Sequence, residues 1–127
     1  MQDLIDQFQA SAQRSGDLIV VTLIAEPSAI RYSIGKVAEG FLGTHIVDLI
    51  SKIAVANASA LTIIDLSGCR VVSSLELSLI GTILFQTRQC QGRCRIDGAS
   101  PVNEKAIRMV GFDRLLTWQD AMKQVRP

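Results

Sequence analysis

The sequence lacks any long apolar run. No uninterrupted segment approaches the ~18 apolar residues that a membrane-spanning helix requires. The first residues also lack the positively charged stretch followed by an apolar block that marks a secretion signal. We therefore expect a soluble, cytoplasmic protein that does not insert into a membrane.

An excess of charge of either sign is absent as well. Thirteen basic side chains oppose twelve acidic ones, which gives a net charge of +1, and they are scattered along the chain. Nucleic-acid binding requires a concentrated basic surface, because contacts with phosphates supply the affinity. We therefore expect no nucleic-acid partner.

Residues that support catalysis or metal binding are scarce. The cysteines are Cys69, Cys90 and Cys94, and an odd number of thiols without a secretion signal argues against a disulfide framework. A zinc site usually needs four ligands, and the single histidine, His45, is far from Cys90 and Cys94 in sequence. His45 is also remote from any candidate nucleophile, and no glycine-rich phosphate loop follows a predicted strand. We expect no metal, no cofactor and no enzymatic activity.

Hydrophobic patterning is what the sequence does have. Its 127 residues, 48% of them hydrophobic, suit one compact core. The predicted elements are helix 1–16, strands 17–25 and 30–40, helix 45–56, strand 61–66, helix 74–89, strand 93–97, helix 101–110, strand 115–116 and helix 118–125. A hairpin-like start followed by alternating helices and strands predicts an α/β fold with a mostly parallel sheet. We expect 1–16 to be an amphipathic helix or extension and 17–127 to be the main domain.

Local signals also predict where helices begin and which faces they bury. Thr44, Ser100 and Thr117 are predicted N-caps, with Asp120 as a reciprocal partner of Thr117. Trp118 is predicted to anchor the last helix. The residues expected on the buried face of helix 101–110 are Val102, Ala106, Ile107 and Val110.

The stretch VVSSLELSLIG, residues 71–81, places two adjacent serines before a helical apolar repeat. Ser73 and Glu76 fit a reciprocal cap, in which each side chain binds the backbone N–H of the other residue. Such a cap contributes about 1 kcal/mol, so structure alone explains Ser73. Ser74 would occupy the first helical position, where unpaired N–H groups and the helix dipole accommodate a phosphate. Ser74 is therefore either an ordinary helix residue or a binding switch, and Arg70 is the best candidate to neutralise a phosphate on it.

Two longer stretches resemble the STAS domain, the module of bacterial anti-anti-sigma factors, stressosome scaffolds and transporter-associated regulators. They are LTIIDLSGCRVVSSLELSLIGTIL and DGASPVNEKAIRMVGFDRLLTW, and the resemblance covers residues 31–125. Its most specific parts are the strand ending in Asp65-Leu66-Ser67-Gly68, the serine pair, and the helix that follows Ala99-Ser100-Pro101. The resemblance implies a STAS-like α/β fold, with a small mixed, mostly parallel sheet of four to five strands. About four helices would pack mainly on one face, in addition to a short N-terminal helix.

The resemblance also implies a function. In the family the corresponding helix usually opens with Asp-Ser-Ser-Gly, and a partner kinase phosphorylates the first of the two serines. That motif corresponds to residues 73–76. Only the first serine of the motif is kept in this sequence, as Ser74. We therefore expect a non-enzymatic interaction module, similar to anti-sigma factor antagonists, that binds an anti-sigma kinase around Ser74. The residues expected at the contact are Asp65, Ser67, Arg70, Ser73, Ser74 and Glu76.

The residues leave two alternatives open. The chain could instead be a constitutive scaffold, or a regulatory subunit of a stressosome or a transporter ATPase, bound to itself or to another protein, with Ser74 never modified. It could also be a small-molecule sensor, although no converging polar residues mark a pocket. Asp65 has a simpler role as well, because an aspartate at a turn usually binds the backbone of that turn.

Overall fold

The computed structural model describes residues 1–24, 28–57 and 60–119, and its strands form one five-stranded sheet. In this part of the chain the helices are α1 (Gln2–Ser15), α2 (Thr44–Ala56), α3 (Ser74–Gln89) and α4 (Pro101–Met109), and a 3₁₀ turn follows at Phe112–Leu115. The strands are β1 (Leu18–Ile24), β2 (Ala29–Lys36), β3 (Leu61–Asp65), β4 (Arg93–Asp97) and β5 (Thr117–Gln119).

The order of the strands across the sheet is the same as their order along the chain. β1 pairs antiparallel with β2, and each later pair is parallel. Parallel neighbours need a crossover connection, and α2 and α3 supply the crossovers from β2 to β3 and from β3 to β4. The predicted mixed, mostly parallel sheet with a hairpin-like start is therefore confirmed.

One face of the edge strand β1 is buried and the other is open, whereas the central strand β3 is buried on both faces. In β1, Ile19 and Val21 are buried, whereas the alternate residues Leu18 and Val20 are 65% and 55% exposed. Successive side chains of a strand point to opposite faces, so this alternation directs one face of β1 to the core. α1, α2 and α3 contribute most of their buried apolar residues to the same core cluster. The expectation that helices pack mainly on one face is confirmed.

α1 is built into this core. Phe8 is fully buried and meets the rings of Tyr32 and Phe41 edge to face, with ring centroids 5.8 and 5.6 Å apart. Ile5 and Ala12, on the same stripe of the helix, are buried with it. The N-terminal helix therefore shares one hydrophobic core with the sheet.

A glutamine of α1 closes part of the free edge of β1. The side-chain amide of Gln9 donates to the Ile19 carbonyl at 2.7 Å and accepts from the Val21 N–H at 2.9 Å. β1 lies at the edge of the sheet and presents backbone groups that another strand could pair with. Gln9 occupies two of these positions and so makes that pairing harder.

The buried face of α4 differs from the prediction. Ile107 is buried, as predicted, and Ala106 is half-buried. Val102 and Val110 are instead exposed, and the other buried residue of the helix is Asn103. Asn103 takes this place because its amide binds two backbone groups of the loop before α3. Hydrophobic spacing cannot reveal such a contact, since it assigns polar residues to the solvent side.

The predicted cap of α2 is wrong by one residue. Gly43 is the N-cap, with an extended backbone at φ −121° and ψ −178°, and its carbonyl accepts from the Val47 N–H at 3.0 Å. Thr44 is therefore the first residue of the helix. Glycine and threonine are about equally favoured as N-caps, so residue type does not decide between Gly43 and Thr44.

The predicted strand at 115–116 and the predicted cap at Thr117 are also wrong. Leu115 is the last residue of the 3₁₀ turn and Leu116 follows it. β5 begins at Thr117, which pairs with Arg95 of β4. Parallel pairing with β4 keeps Thr117 in a strand, so it cannot cap a helix. Asp120 and the helix that Trp118 would anchor lie outside the described residues.

Replacing Gln9 by alanine tests the closure of the β1 edge. We expect the free energy of unfolding to fall by about 1–3 kcal/mol, because the Val21 N–H and the Ile19 carbonyl lose a shared partner. The freed edge should also favour pairing between molecules. Urea unfolding and size-exclusion chromatography at rising protein concentration measure these effects. Gln13→Ala, at an exposed position of the same helix, is the control, and equal behaviour of the two variants would contradict the assigned role.

Candidate functional site

The predicted contact residues lie in or beside the loop 66–73, which joins β3 to α3. Ligands of open α/β sheets bind beyond the carboxyl ends of parallel strands, and this loop follows such an end. Asp65 is the last residue of β3, and its Oδ1 accepts from the Ser67 N–H at 3.0 Å and from the Ser67 hydroxyl at 2.7 Å. The predicted turn role of Asp65 is confirmed, and Ser67 is exposed beside it.

The loop packs closely against the end of β4. The Leu66 N–H donates to the Asp97 carbonyl at 2.9 Å. Gly98 has a φ of 71°, and a Cβ atom at this position would lie 2.8 Å from the Cβ of Ser67. Glycine suits both the left-handed backbone and the close approach. The end of β4 therefore helps to fix the position of Ser67.

A buried asparagine on α4 holds the other half of the loop. Asn103 is 1% exposed, its Nδ2 donates to the Cys69 carbonyl, and its Oδ1 accepts from the Val72 N–H, both at 2.9 Å. The backbone N–H of Asn103 donates to the Ser100 hydroxyl oxygen at 3.1 Å, which confirms the predicted cap of α4. Sequence reasoning missed Asn103, because asparagine is mostly a surface residue. The one available signal is that it lies four residues before Ile107 and therefore on the same helix face.

A buried carboxylate joins the start of α3 to the end of β2. Glu76 is 3% exposed, and its Oε1 accepts from the Ser73 N–H at 2.8 Å and from the Ser73 hydroxyl. Its Oε2 accepts from the Val37 N–H at 2.8 Å. The Ser73 side chain also accepts from the Glu76 backbone, so the predicted reciprocal cap is confirmed.

The environment of Glu76 keeps it charged. Burial raises the pKa of this carboxyl, but the hydrogen bonds from Ser73 and Val37 outweigh burial and hold the pKa below its usual value. The carboxylate points inward, so its charge is not displayed on the surface. Glu76 can therefore influence a partner by positioning Ser73.

Ser74 is the first residue of α3, and its side chain is exposed. Among the described residues, none forms a hydrogen bond with its hydroxyl. Its carbonyl accepts from the Ser78 hydroxyl at 2.9 Å, and the Ser78 carbonyl accepts from the Thr82 hydroxyl at 2.8 Å. The Ser74 Oγ is therefore open to another molecule, at one end of a stripe of small polar residues.

A depression of about 300 Å³ lies between the end of β2 and the start of α3. Its lining residues are Gly35, Lys36, Val37, Arg70, Val71, Ser73, Leu75 and Glu76. The predicted contact residues Arg70, Ser73 and Glu76 meet here, and Lys36 adds a second cation that the sequence did not point to. Ser74 is not part of the lining, so the neutralisation of a phosphate on Ser74 by Arg70 stays a prediction.

Other chemistry-bearing residues lie outside this lining. His45 is exposed near the start of α2. Cys94 is buried, and burial raises the pKa of its thiol to about 11. Within residues 1–24, 28–57 and 60–119, no three histidine, cysteine, aspartate or glutamate side chains lie together as metal ligands would. In the same ranges, no helix has both the length and the hydropathy to cross a bilayer.

The fold is shared with proteins of known structure. No family model matches the sequence, and no curated protein matches it. An anti-sigma-factor antagonist (STAS) domain protein from Planctomyces limnophilus is similar, with a TM-score of 0.56 and 17% identity, over 84% of this chain and 92% of that one. A Thermotoga maritima protein solved by NMR gives a TM-score of 0.57 and 16% identity over 82% of each chain. At these identities the likeness establishes the fold.

Replacing Asn103 by alanine should loosen the loop before α3. The Cys69 carbonyl and the Val72 N–H would stay buried without partners, and we expect a loss of unfolding free energy of about 2–5 kcal/mol. Urea unfolding measures this loss, and hydrogen exchange of the Val72 amide should become faster. Lys105→Ala, at an exposed position of the same helix, should change neither quantity. Unchanged exchange at Val72 in Asn103→Ala would show that the amide does not hold the loop.

Glu76→Gln tests the charged cap through its pH dependence. The folded-state pKa of Glu76 lies below its usual 4.5, so the carboxylate stabilises the fold above pH 4.5. This contribution is lost as the pH falls through the folded-state pKa. At neutral pH we expect urea unfolding to show a loss of about 1.5–3 kcal/mol in the variant, the range for hydrogen bonds to a charged group.

The difference between wild type and Glu76→Gln should shrink when the pH is lowered below the folded-state pKa. A difference that stays constant with pH would mean that the charge of Glu76 does not contribute. Glu39→Gln, at an exposed position after β2, is the control and should leave the stability at neutral pH unchanged.

Proposed function

We propose that this chain, which has the fold of STAS domain proteins, is a protein-interaction module of the anti-sigma factor antagonist type. It binds its partner through the surface around Ser74. The single observation that carries the proposal is the exposed Ser74 hydroxyl, free of described partners, at the start of α3. The fold shared with an anti-sigma-factor antagonist domain supports the class of function.

The surroundings of Ser74 suit a binding surface because they are held in place before a partner arrives. Glu76 fixes the start of α3 against the end of β2, and Asn103 fixes the loop that leads to it. A surface that is already ordered loses less conformational entropy on binding. Such a preformed surface favours recognition of a specific partner over binding by induced fit.

Phosphorylation of Ser74 would act on the partner rather than on the fold. At the first position of a helix, a phosphate meets unpaired N–H groups and the positive end of the helix dipole. Glu76 does not oppose it on the surface, because its carboxylate faces inward. The phosphate would add about 1.5 to 2 negative charges to the contact and so release a partner. The partner is a cytoplasmic anti-sigma factor with serine kinase activity, and the module itself performs no catalytic step and needs no cofactor.

A constitutive scaffold or regulatory subunit is the second candidate. It is favoured by large apolar side chains that α3, α4 and the residue after α4 leave in water. These are Phe85, Val102, Met109 and Val110, exposed by 56%, 68%, 78% and 50%. Exposed apolar side chains in number often mark an interface, either with a second copy or with another protein. In this role Ser74 would stay unmodified.

Ser74→Asp separates the two candidates. With a serine kinase of the anti-sigma factor class as the titrant, we expect the substitution to weaken binding at least about tenfold, because it adds a charge at the contact. Isothermal titration calorimetry measures the affinity, and circular dichroism checks the fold. Thr44→Asp is a matched control, because Thr44 is the exposed first residue of α2, and it should bind as the wild type does.

Phosphate on the natural protein is the complementary measurement. Mass spectrometry of the chain isolated from its own cells should detect one phosphate, and Ser74→Ala should remove it. Unweakened binding by Ser74→Asp together with an unmodified natural chain would reject the switch in favour of the scaffold.

A further inference from the structure

We infer that the depression beside the start of α3 binds a segment of the partner that is both acidic and apolar. An apolar side chain would enter the depression, and a neighbouring carboxylate would pair with Lys36 and Arg70. The inference rests on the proposed function, because it names the chemistry of the partner at the same surface.

The size of the depression fits one or two side chains. At about 300 Å³ it lies at the lower end of the range for pockets that hold small molecules. Val37 and Glu76 are buried and form its floor, and Val71 is 61% exposed at its side. Leu75 is half buried and adds further apolar surface. An apolar side chain placed here would remove Val71 from water, which is the main favourable term in association.

The charges of the lining select an acidic neighbour. Lys36 and Arg70 are exposed, and neither forms an ion pair with a described residue. Glu76 carries the one negative charge of the lining, and hydrogen bonds from Ser73 and Val37 already occupy both of its oxygens. The lining is therefore net positive, so a carboxylate is attracted and a basic segment is repelled.

The same chemistry explains how Ser74 could control binding. Ser73 and Leu75 line the depression, so Ser74 lies at its border without filling it. A phosphate on Ser74 would stand close to the acidic segment of the partner and repel it. Modification would thus act by charge on a partner whose own charge is negative.

Peptide titration of the full chain tests the inference. The probes are blocked pentapeptides Ser-Asp-Leu-Asp-Ser, its neutral analogue Ser-Asn-Leu-Asn-Ser and its basic analogue Ser-Lys-Leu-Lys-Ser. Proton–nitrogen NMR spectra of the isotope-labelled protein follow the backbone amides. We expect the acidic peptide at millimolar concentration to shift the amide signals of Lys36, Val37, Val71 and Leu75. The neutral peptide should bind several-fold more weakly, and the basic peptide should not bind.

Matched charge variants localise the effect. The double variant Lys36→Gln with Arg70→Gln should bind the acidic peptide at least about fivefold more weakly than the wild type, since both cations are removed. Lys52→Gln with Lys105→Gln removes two exposed cations from α2 and α4 and should leave the affinity unchanged. The same spectra show whether each variant is folded.

Four outcomes would each overturn the inference. In the titrations they are equal binding of the acidic and basic peptides, amide shifts outside the depression, or no shifts at all. In the variants it is an equal loss of affinity in the two double variants. These outcomes are distinct from a failure of the proposed function. If Ser74→Asp still weakens binding of the kinase while the peptides fail, only the chemistry assigned to the depression is wrong. If Ser74→Asp has no effect, the switch fails regardless of the peptides.

Discussion

The buried carboxylate of Glu76 is the contact on which the candidate site depends. It accepts hydrogen bonds from the N–H groups of Val37, just after β2, and of Ser73, just before α3. It therefore joins two segments that α2 and β3 separate along the chain. A charge this deeply buried is tolerated when hydrogen bonds replace its lost hydration, and the Ser73 hydroxyl provides a further one. The same contact sets where α3 begins, and this places Ser74 at the first, exposed position of the helix.

The rest of the loop is fixed by contacts from the other side of the site. Asn103 binds the backbone of Cys69 and Val72, and Gly98 allows the end of β4 to approach Ser67 closely. A loop held at both ends has little freedom to rearrange when its surface charge changes. Regulation at such a site is therefore better achieved by altering what the surface attracts than by altering its shape.

The fold persists at identities of 16% and 17% with solved STAS-like structures because it depends on the pattern of buried positions more than on particular residues. In the family motif that the sequence resembles, an acidic residue stands at the position of Ser73, whereas here the acidic residue is Glu76, on the inner side of the helix. The acidic side chain at this motif is therefore buried in this chain.

The sequence by itself determined the features that depend on neighbours along the chain. The helix over 74–89, the strand over 93–97 and the reciprocal cap of Ser73 and Glu76 all follow from local spacing, and all are present in the structure. Tertiary structure decided the inward face of α4, the contact of Glu76 with Val37 and the meeting of Lys36 with Arg70. Each of these joins residues from separate elements, and their distance apart depends on how the sheet orders its strands. Local propensity carries no information about that order, so the chemistry of the depression became visible only once the chain was folded.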